Sequence, residues 1–193
     1  MIARNKKRAL AVFFMVLMAP VFQGVAQAAP PAVQWQFKAD SGIHSSPLLA
    51  GGLLFFGSDD GTLYALDLKG ALKWKFKASG RINGEPVLDQ GLVFVASEDE
   101  HVYGLDTASG RIVFTFAANS PQFQAPLASD GLLVATSWWR NLVAVDVKSG
   151  EVKWKYEAAG GPLTAAPVRS GRMLYACGEG PFVYALGLDD GAE

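Results

Sequence analysis

The sequence contains one cysteine, Cys177, so no disulfide can form within the chain. It contains two histidines, His44 and His101. Neither sits with carboxylates or cysteine at a zinc-ligand spacing, and neither belongs to a recognisable nucleophile motif. Both fall in segments that read as loops. Basic residues are not in excess: 17 Lys and Arg face 18 Asp and Glu. A nucleic-acid binder would carry a basic footprint, and none is present. No window of ten or more residues shows helical periodicity. One long apolar run occurs, at 9–21, shorter than the roughly 20 residues a spanning helix needs.

That run follows a basic start, Arg4, Lys6, Lys7 and Arg8, and precedes the small-x-small triplet Ala26-Gln27-Ala28. The three parts make a secretory signal peptide over 1–28, with the cut expected after Ala28. There is no Arg-Arg pair for twin-arginine export and no cysteine near the cut for lipidation. The expectation is a Sec-type route to the periplasm or the exterior, without a membrane anchor. Residues 29–34 read as an Ala/Pro lead-in. Past the signal, 13 Lys and Arg face 18 Asp and Glu, a mildly acidic chain large enough to bury about two-thirds of its surface.

What the sequence has in abundance is repetition. Trp35, Trp74, Phe114 and Trp154 are spaced 39, 40 and 40 residues apart. Pro47, Pro86, Pro126 and Pro167 keep step with them, as do Gly52, Gly91, Gly131 and Gly171. Each unit holds short apolar runs: 47–50, 53–58 and 63–67, then 86–89, 92–97 and 102–106, then 126–129, 132–137 and 142–146, then 167–170, 173–178 and 183–187. A further run opens at each repeated aromatic. Val, Leu, Phe and Tyr dominate these runs, and Gly, Asp or Ser bounds them, so they read as strands. The second and third runs are apolar on both faces, as strands between packed sheets are. The fourth alternates, as in Lys73-Trp74-Lys75-Phe76-Lys77, and its lysines discourage edge-to-edge pairing.

A period near 40 with four strands per unit predicts an all-β propeller of four blades, at 35–73, 74–113, 114–153 and 154–193. The chain opens on a fourth strand at Trp35 and stops after a third at Gly187. The N-terminal strand could complete the last blade and close a four-bladed ring. Alternatively the chain is half of a larger ring, as a truncated product or as one partner of a homodimer. Asp189-Asp190-Gly191-Ala192-Glu193 reads as the start of one more turn.

The stretch from Ala144 through Asp146 and Gly150 to Trp154 resembles the tryptophan-docking motif of the PQQ-type β-propeller repeat family. Gly104, Asp106, Gly110 and Phe114 match it with two substitutions. Ala65, Asp67, Gly70 and Trp74 match it with a turn one residue shorter. The fourth copy has Gly187 in place of Asp. Ser45-Ser46-Pro47 and Leu63-Tyr64-Ala65-Leu66-Asp67 are similar to phrases typical of the family. The resemblance covers 35–193 and implies that Trp35, Trp74, Phe114 and Trp154 wedge between neighbouring blades over the turn glycines. Phe114 has less ring and no indole N–H, so its joint is expected to be the weakest.

The family holds quinoprotein dehydrogenases that bind PQQ and calcium, BamB-like outer-membrane assembly proteins, and other exported propellers. Its quinoproteins resemble eight-bladed rings with a vicinal disulfide over the cofactor. Here the lone Cys177 falls where earlier copies have Gly57, Ala96 and Thr136, and it is expected to be a small buried core residue. Neither PQQ nor calcium is expected to bind. Acidic hairpin tips at Asp59-Asp60 and Glu98-Asp99-Glu100 read as solubility features ahead of a calcium site.

The clearest break in the repeat is Trp138-Trp139-Arg140-Asn141, at the hairpin that is acidic in the first two units. Trp and Arg are enriched at binding hot spots, although the indoles could equally fold back as local packing. Loops expected at the same end carry His44, Arg81, Asn83, Glu85, Gln122 and Gln124, with Arg81 and Glu85 free to pair with each other. The sequence therefore predicts a non-enzymatic scaffold of the bacterial envelope that binds a protein through this end, with BamB-like outer-membrane assembly as the nearest role. A fragment or relative of a quinoprotein dehydrogenase is the alternative.

Overall fold

The computed structural model describes residues 32–121, 124–137 and 140–193. Contacts divide the chain into 1–33 and 34–193, and the strands of the described residues lie in the second part. Four antiparallel sheets follow one another in chain order. The first holds β1 (Leu48–Ala50), β2 (Leu53–Gly57), β3 (Thr62–Asp67) and β4 (Leu72–Lys77). The second holds β5 (Val87–Asp89), β6 (Leu92–Ala96), β7 (His101–Asp106) and β8 (Ile112–Ala117). The third holds β9 (Leu127–Ser129), β10 (Leu132–Ser137), β11 (Asn141–Asp146) and β12 (Val152–Glu157). The fourth has three strands: β13 (Val168–Ser170), β14 (Met173–Cys177) and β15 (Val183–Gly187). This is a propeller-type arrangement of blades that do not close into a ring.

One irregularity recurs and positions the docking aromatic. The pairing of third to fourth strand shifts register after Ala65, Gly104 and Ala144. Those small residues lie directly opposite Trp74, Phe114 and Trp154. The second sheet needs glycine there, because a Cβ on Gly104 would come within 2.7 Å of the Phe94 ring.

The core lies between sheets. Phe55, Leu63 and Ala65 meet Val93, Val95 and Leu105 across the first joint. Phe94, Ala96 and Val102 meet Leu133, Ala135 and Val145 across the second. Val134, Leu142 and Ala144 meet Leu174, Ala176 and Leu186 across the third. Middle strands of the inner sheets are thus buried on both faces, which is why they lack polar alternation.

Three expectations need correction. The segment at Trp35 is not a fourth strand: residues 32–39 form none. A strand needs partner backbone, and this segment instead stays on the first sheet, where Trp35 Nε1 donates to the Leu68 carbonyl at 3.0 Å. Cys177 is half-buried, not a core residue. It lies on the far face of the fourth sheet, where Met173, Tyr175 and Val183 are 38%, 37% and 72% exposed. His101 is not in a loop: it begins β7, and its ring stacks on Tyr103 at 5.8 Å.

Candidate interaction face

One end of the sheets carries the docking turns. Trp74 lies against Gly110 and donates to the Thr107 carbonyl at 3.0 Å. Trp154 lies against Gly191 and donates to the Leu188 carbonyl at 2.9 Å. Trp35 lies against Gly70. Gly110 has φ of 69°, and a Cβ there would meet the indole at 2.6 Å. Both facts demand glycine. At Gly150 the corresponding space is open, with no atom within 4 Å. Phe114 is buried edge-on against Phe94, centroids 6.1 Å apart.

The turn carboxylates shape these docks. Asp67 accepts from the amides of Ala71 and Lys69 at 3.0 and 2.9 Å. Asp106 accepts from the Ser109 hydroxyl and amide, and Asp146 from the Ser149 and Lys148 amides. These bonds hold all three carboxyls below the usual carboxylate range. In the fourth turn Asp190 Oδ1 fills the space that a Cβ on Gly187 would need, and accepts from the Ala192 amide.

A second aromatic row went unread in the sequence. Phe37 packs on Tyr64, Phe76 on Tyr103 and Tyr156 on Tyr184, with centroids 5.4, 4.9 and 5.6 Å apart. Its signal was available: each first member stands two residues past a docking tryptophan.

The opposite end carries the β2–β3 type hairpin tips and the loops that enter each sheet. They are stitched together by backbone bonds: Asp59 N to Gly42 O, Glu98 N to Arg81 O, and Glu179 N to Pro162 O, at 2.9, 2.9 and 3.0 Å. His44 Nε2 lies 3.3 Å from Asp59 Oδ2 and is largely exposed. Arg140 has φ of 75° and donates to Glu157 Oε1 at 3.1 Å. Asn141 opens β11 opposite Glu157. Arg81 is exposed, and among the described residues it forms no ion pair with Glu85. Gln124 is half-buried, its backbone packed close to Gly84. Trp138, Trp139 and Gln122 lie outside the described residues.

Acidic groups at this end serve their own loops. Burial works against charge on Asp99, yet the Ser79 amide and the Tyr103 hydroxyl, each at 2.9 Å, keep its carboxyl below the usual range. Burial, with the same carboxylate beside it, pushes Tyr103 up to about 12. Asp60 accepts from the Thr62 amide at 2.7 Å. Among the described residues no three His, Cys, Asp or Glu side chains converge to hold a metal ion. Two buried oxygens, Asp59 Oδ1 and Asn83 Oδ1, find no hydrogen-bond donor among the described residues.

The family described as outer membrane protein assembly factor BamB matches residues 24–85 and 68–193. The chain belongs to this PQQ-type repeat family. BamB from Moraxella catarrhalis shares the fold with a TM-score of 0.70 at 22% identity, over 82% of this chain and 50% of its own. The computationally designed Ika4 protein does so at 0.70 and 15%, over 78% and 94%. Quinohemoprotein alcohol dehydrogenase from Comamonas testosteroni does so at 0.69 and 15%, over 79% and 34%. No curated relative matches the sequence. The chain spans about half the length of the Moraxella BamB, and at these identities the likeness is one of fold. A protein named BamB and a quinohemoprotein dehydrogenase thus share the fold of this chain.

Proposed function

We propose that the chain is a non-enzymatic, exported scaffold of the bacterial envelope that works in outer-membrane protein assembly and grips a protein partner by its hairpin-and-loop end. The match of the BamB family to residues 24–85 and 68–193 carries this reading. Two features of the loop end support it. The stitched loops present His44, Arg81 and Arg140 on a firm base. Asp59 Oδ1 and Asn83 Oδ1 meet no donor among the described residues, and a buried acceptor left open costs about 1–3 kcal/mol. The Trp138-Trp139 pair, next to Arg140 in sequence, supplies the anchor.

The test is deletion of the gene with the outer-membrane β-barrel content measured. The expected result is a fall in barrel proteins, restored by the unaltered chain and not by Trp138→Ala/Trp139→Ala. An unchanged barrel content sinks the assembly role. The shared fold with Comamonas testosteroni quinohemoprotein alcohol dehydrogenase supports a second reading, a quinoprotein relative. It predicts a rise in melting temperature on adding PQQ with calcium; the scaffold reading predicts none.

A further inference from the structure

At the end that carries the docking turns, the joint between the second and third sheets shows what such a joint can hold. The β9–β10 turn has φ of 55° at Asp130 and 81° at Gly131. The amides of both residues point across the joint. The Asp89 carboxylate, at the end of β5, seats on them at 3.2 and 2.7 Å. Adjacent backbone N–H groups turned to one side make a nest for an anion, and here the protein fills the nest itself.

The joint between the first and second sheets repeats the turn without the carboxylate. The β5–β6 turn has φ of 47° at Gln90 and 79° at Gly91. The Thr107 amide donates to the Gly91 carbonyl as the Val147 amide does to that of Gly131, so the turn is held the same way. Ala50 ends β1 as Asp89 ends β5, each opposite the leucine that opens the next strand. A methyl therefore stands in the place of the bridging carboxylate. The amides of Gln90 and Gly91 and the Thr107 hydroxyl form no hydrogen bond among the described residues. Beside them opens a cleft of about 320 Å³, lined by Ala50, Leu53, Leu88, Gly91, Thr107 and Ala108. Leu88 faces it because its neighbours Val87 and Asp89 both turn to the third sheet.

We infer that this cleft binds the carboxyl-terminal end of a polypeptide whose last residue is apolar. The terminal carboxylate takes the amides of Gln90 and Gly91, as Asp89 takes those of Asp130 and Gly131, and the Thr107 hydroxyl donates to it as well. The last side chain lies on Ala50, Leu53 and Leu88. The apolar lining selects a chain terminus over an Asp or Glu side chain. At a terminus the carboxylate and the side chain leave one Cα, so an anion and an apolar body arrive together; an acidic side chain brings polar backbone behind it. Capture of a terminal carboxylate in a backbone nest is an established mode of peptide recognition. Asp106, next to Thr107, does not forbid an anion here. Asp146 holds the same place at the neighbouring joint, and Asp89 seats there regardless. The cleft is at the opposite end of the sheets from Arg81 and Arg140, so the inference does not depend on the envelope role; either can fail alone.

The test is fluorescence polarisation of the full chain with a labelled Gly-Ser-Gly-Ser-Leu peptide, as the free acid and as the C-terminal amide. The free acid is expected to bind about tenfold tighter, the worth of a charged acceptor on backbone donors. Ala50→Asp is expected to seat its own carboxylate on the Gln90 and Gly91 amides. It should keep the circular-dichroism spectrum and weaken the free acid about tenfold. Leu88→Ser, at a residue 43% exposed, is expected to erase the preference for this peptide over one ending in Gly, with the acid-to-amide ratio unchanged. Equal affinity for acid and amide overturns the inference. So does full binding by a folded Ala50→Asp. Should that variant unfold, Leu88→Ser decides: an undiminished preference for the terminal Leu overturns the inference. Octanoate that binds while the free-acid peptide does not overturns it too, since the site then belongs to a fatty acid.

Discussion

The joint between the first and second sheets and the joint between the second and third are built to one plan, with Phe114 in place of Trp74 and Gly104 in place of Ala65. In the first, Trp74 covers Gly110 and bonds the Thr107 carbonyl. In the second, Phe114 leaves Gly150 uncovered and has no N–H to give. The second joint compensates elsewhere. Phe94 turns into the space beside Gly104, which has no Cβ to obstruct it, and Asp89 reaches across to the amides of Gly131 and Asp130 at 2.7 and 3.2 Å. The repeat therefore fixes where a clamp belongs, while neighbours decide how tightly it closes.

The largest expected effect separates clamp from compensation. Trp154 is buried, bonded and seated on Gly191. Its replacement by alanine should cost about 4 kcal/mol, against about 3 for Phe114→Ala, because only the former also abandons a turn. Chemical denaturation of both variants checks the order; a costlier Phe114→Ala would mean that the uncovered glycine is no measure of the joint.

A swap tests the same comparison more finely. Trp74→Phe should cost about 1–2 kcal/mol through the lost indole bond and part of a ring. Phe114→Trp should gain about 1 kcal/mol, since Gly150 has room and Val147, which follows Asp146 as Thr107 follows Asp106, offers the carbonyl. The Gly150 amide, which bonds the Asp146 carbonyl just as Gly110 bonds Asp106, should exchange hydrogen faster than Gly110 until that substitution is made. Destabilisation by Phe114→Trp would show that Phe94 has already claimed the space.

Much of this was legible from spacing alone. The aromatics, prolines and glycines in step located β1 to β15 within a residue or two, because each landmark does a local job in its own sheet. The segment at Trp35 was misread for the opposite reason. Its pattern, Gln34-Trp35-Gln36-Phe37-Lys38, is that of an outer strand, but a strand is defined by a neighbour that no pattern in the segment itself records. Cys177 was misread likewise: its position is a core position only where another sheet packs on that face, and no sheet of the described residues does. At the loop end the hairpin tips were found by offset, whereas the pairing of Asp99 with Ser79 and Tyr103 was not, since those contacts depend on how one sheet's tip meets the loop entering it.

The smallest effect concerns the turns themselves. Asp67, Asp106 and Asp146 have carboxyls held below their ordinary values by turn amides and the Ser109 hydroxyl. An unfolded aspartate titrates near 3.9. A carboxyl depressed in the fold therefore contributes stability that is present in full above that value and is lost as pH falls through the folded one. Melting temperature should be level from neutral pH down to about 5 and decline below about 4. Asp106→Asn and Asp146→Asn should each make the decline shallower, since a neutral amide has no proton to take up. The comparison of joints orders the two. The Asp106 turn is also pinned by the Trp74 indole, whereas Phe114 gives the Asp146 turn no such bond, so Asp146→Asn should flatten the acid limb more. Equal slopes in the two variants would mean that the indole does nothing for the turn it covers.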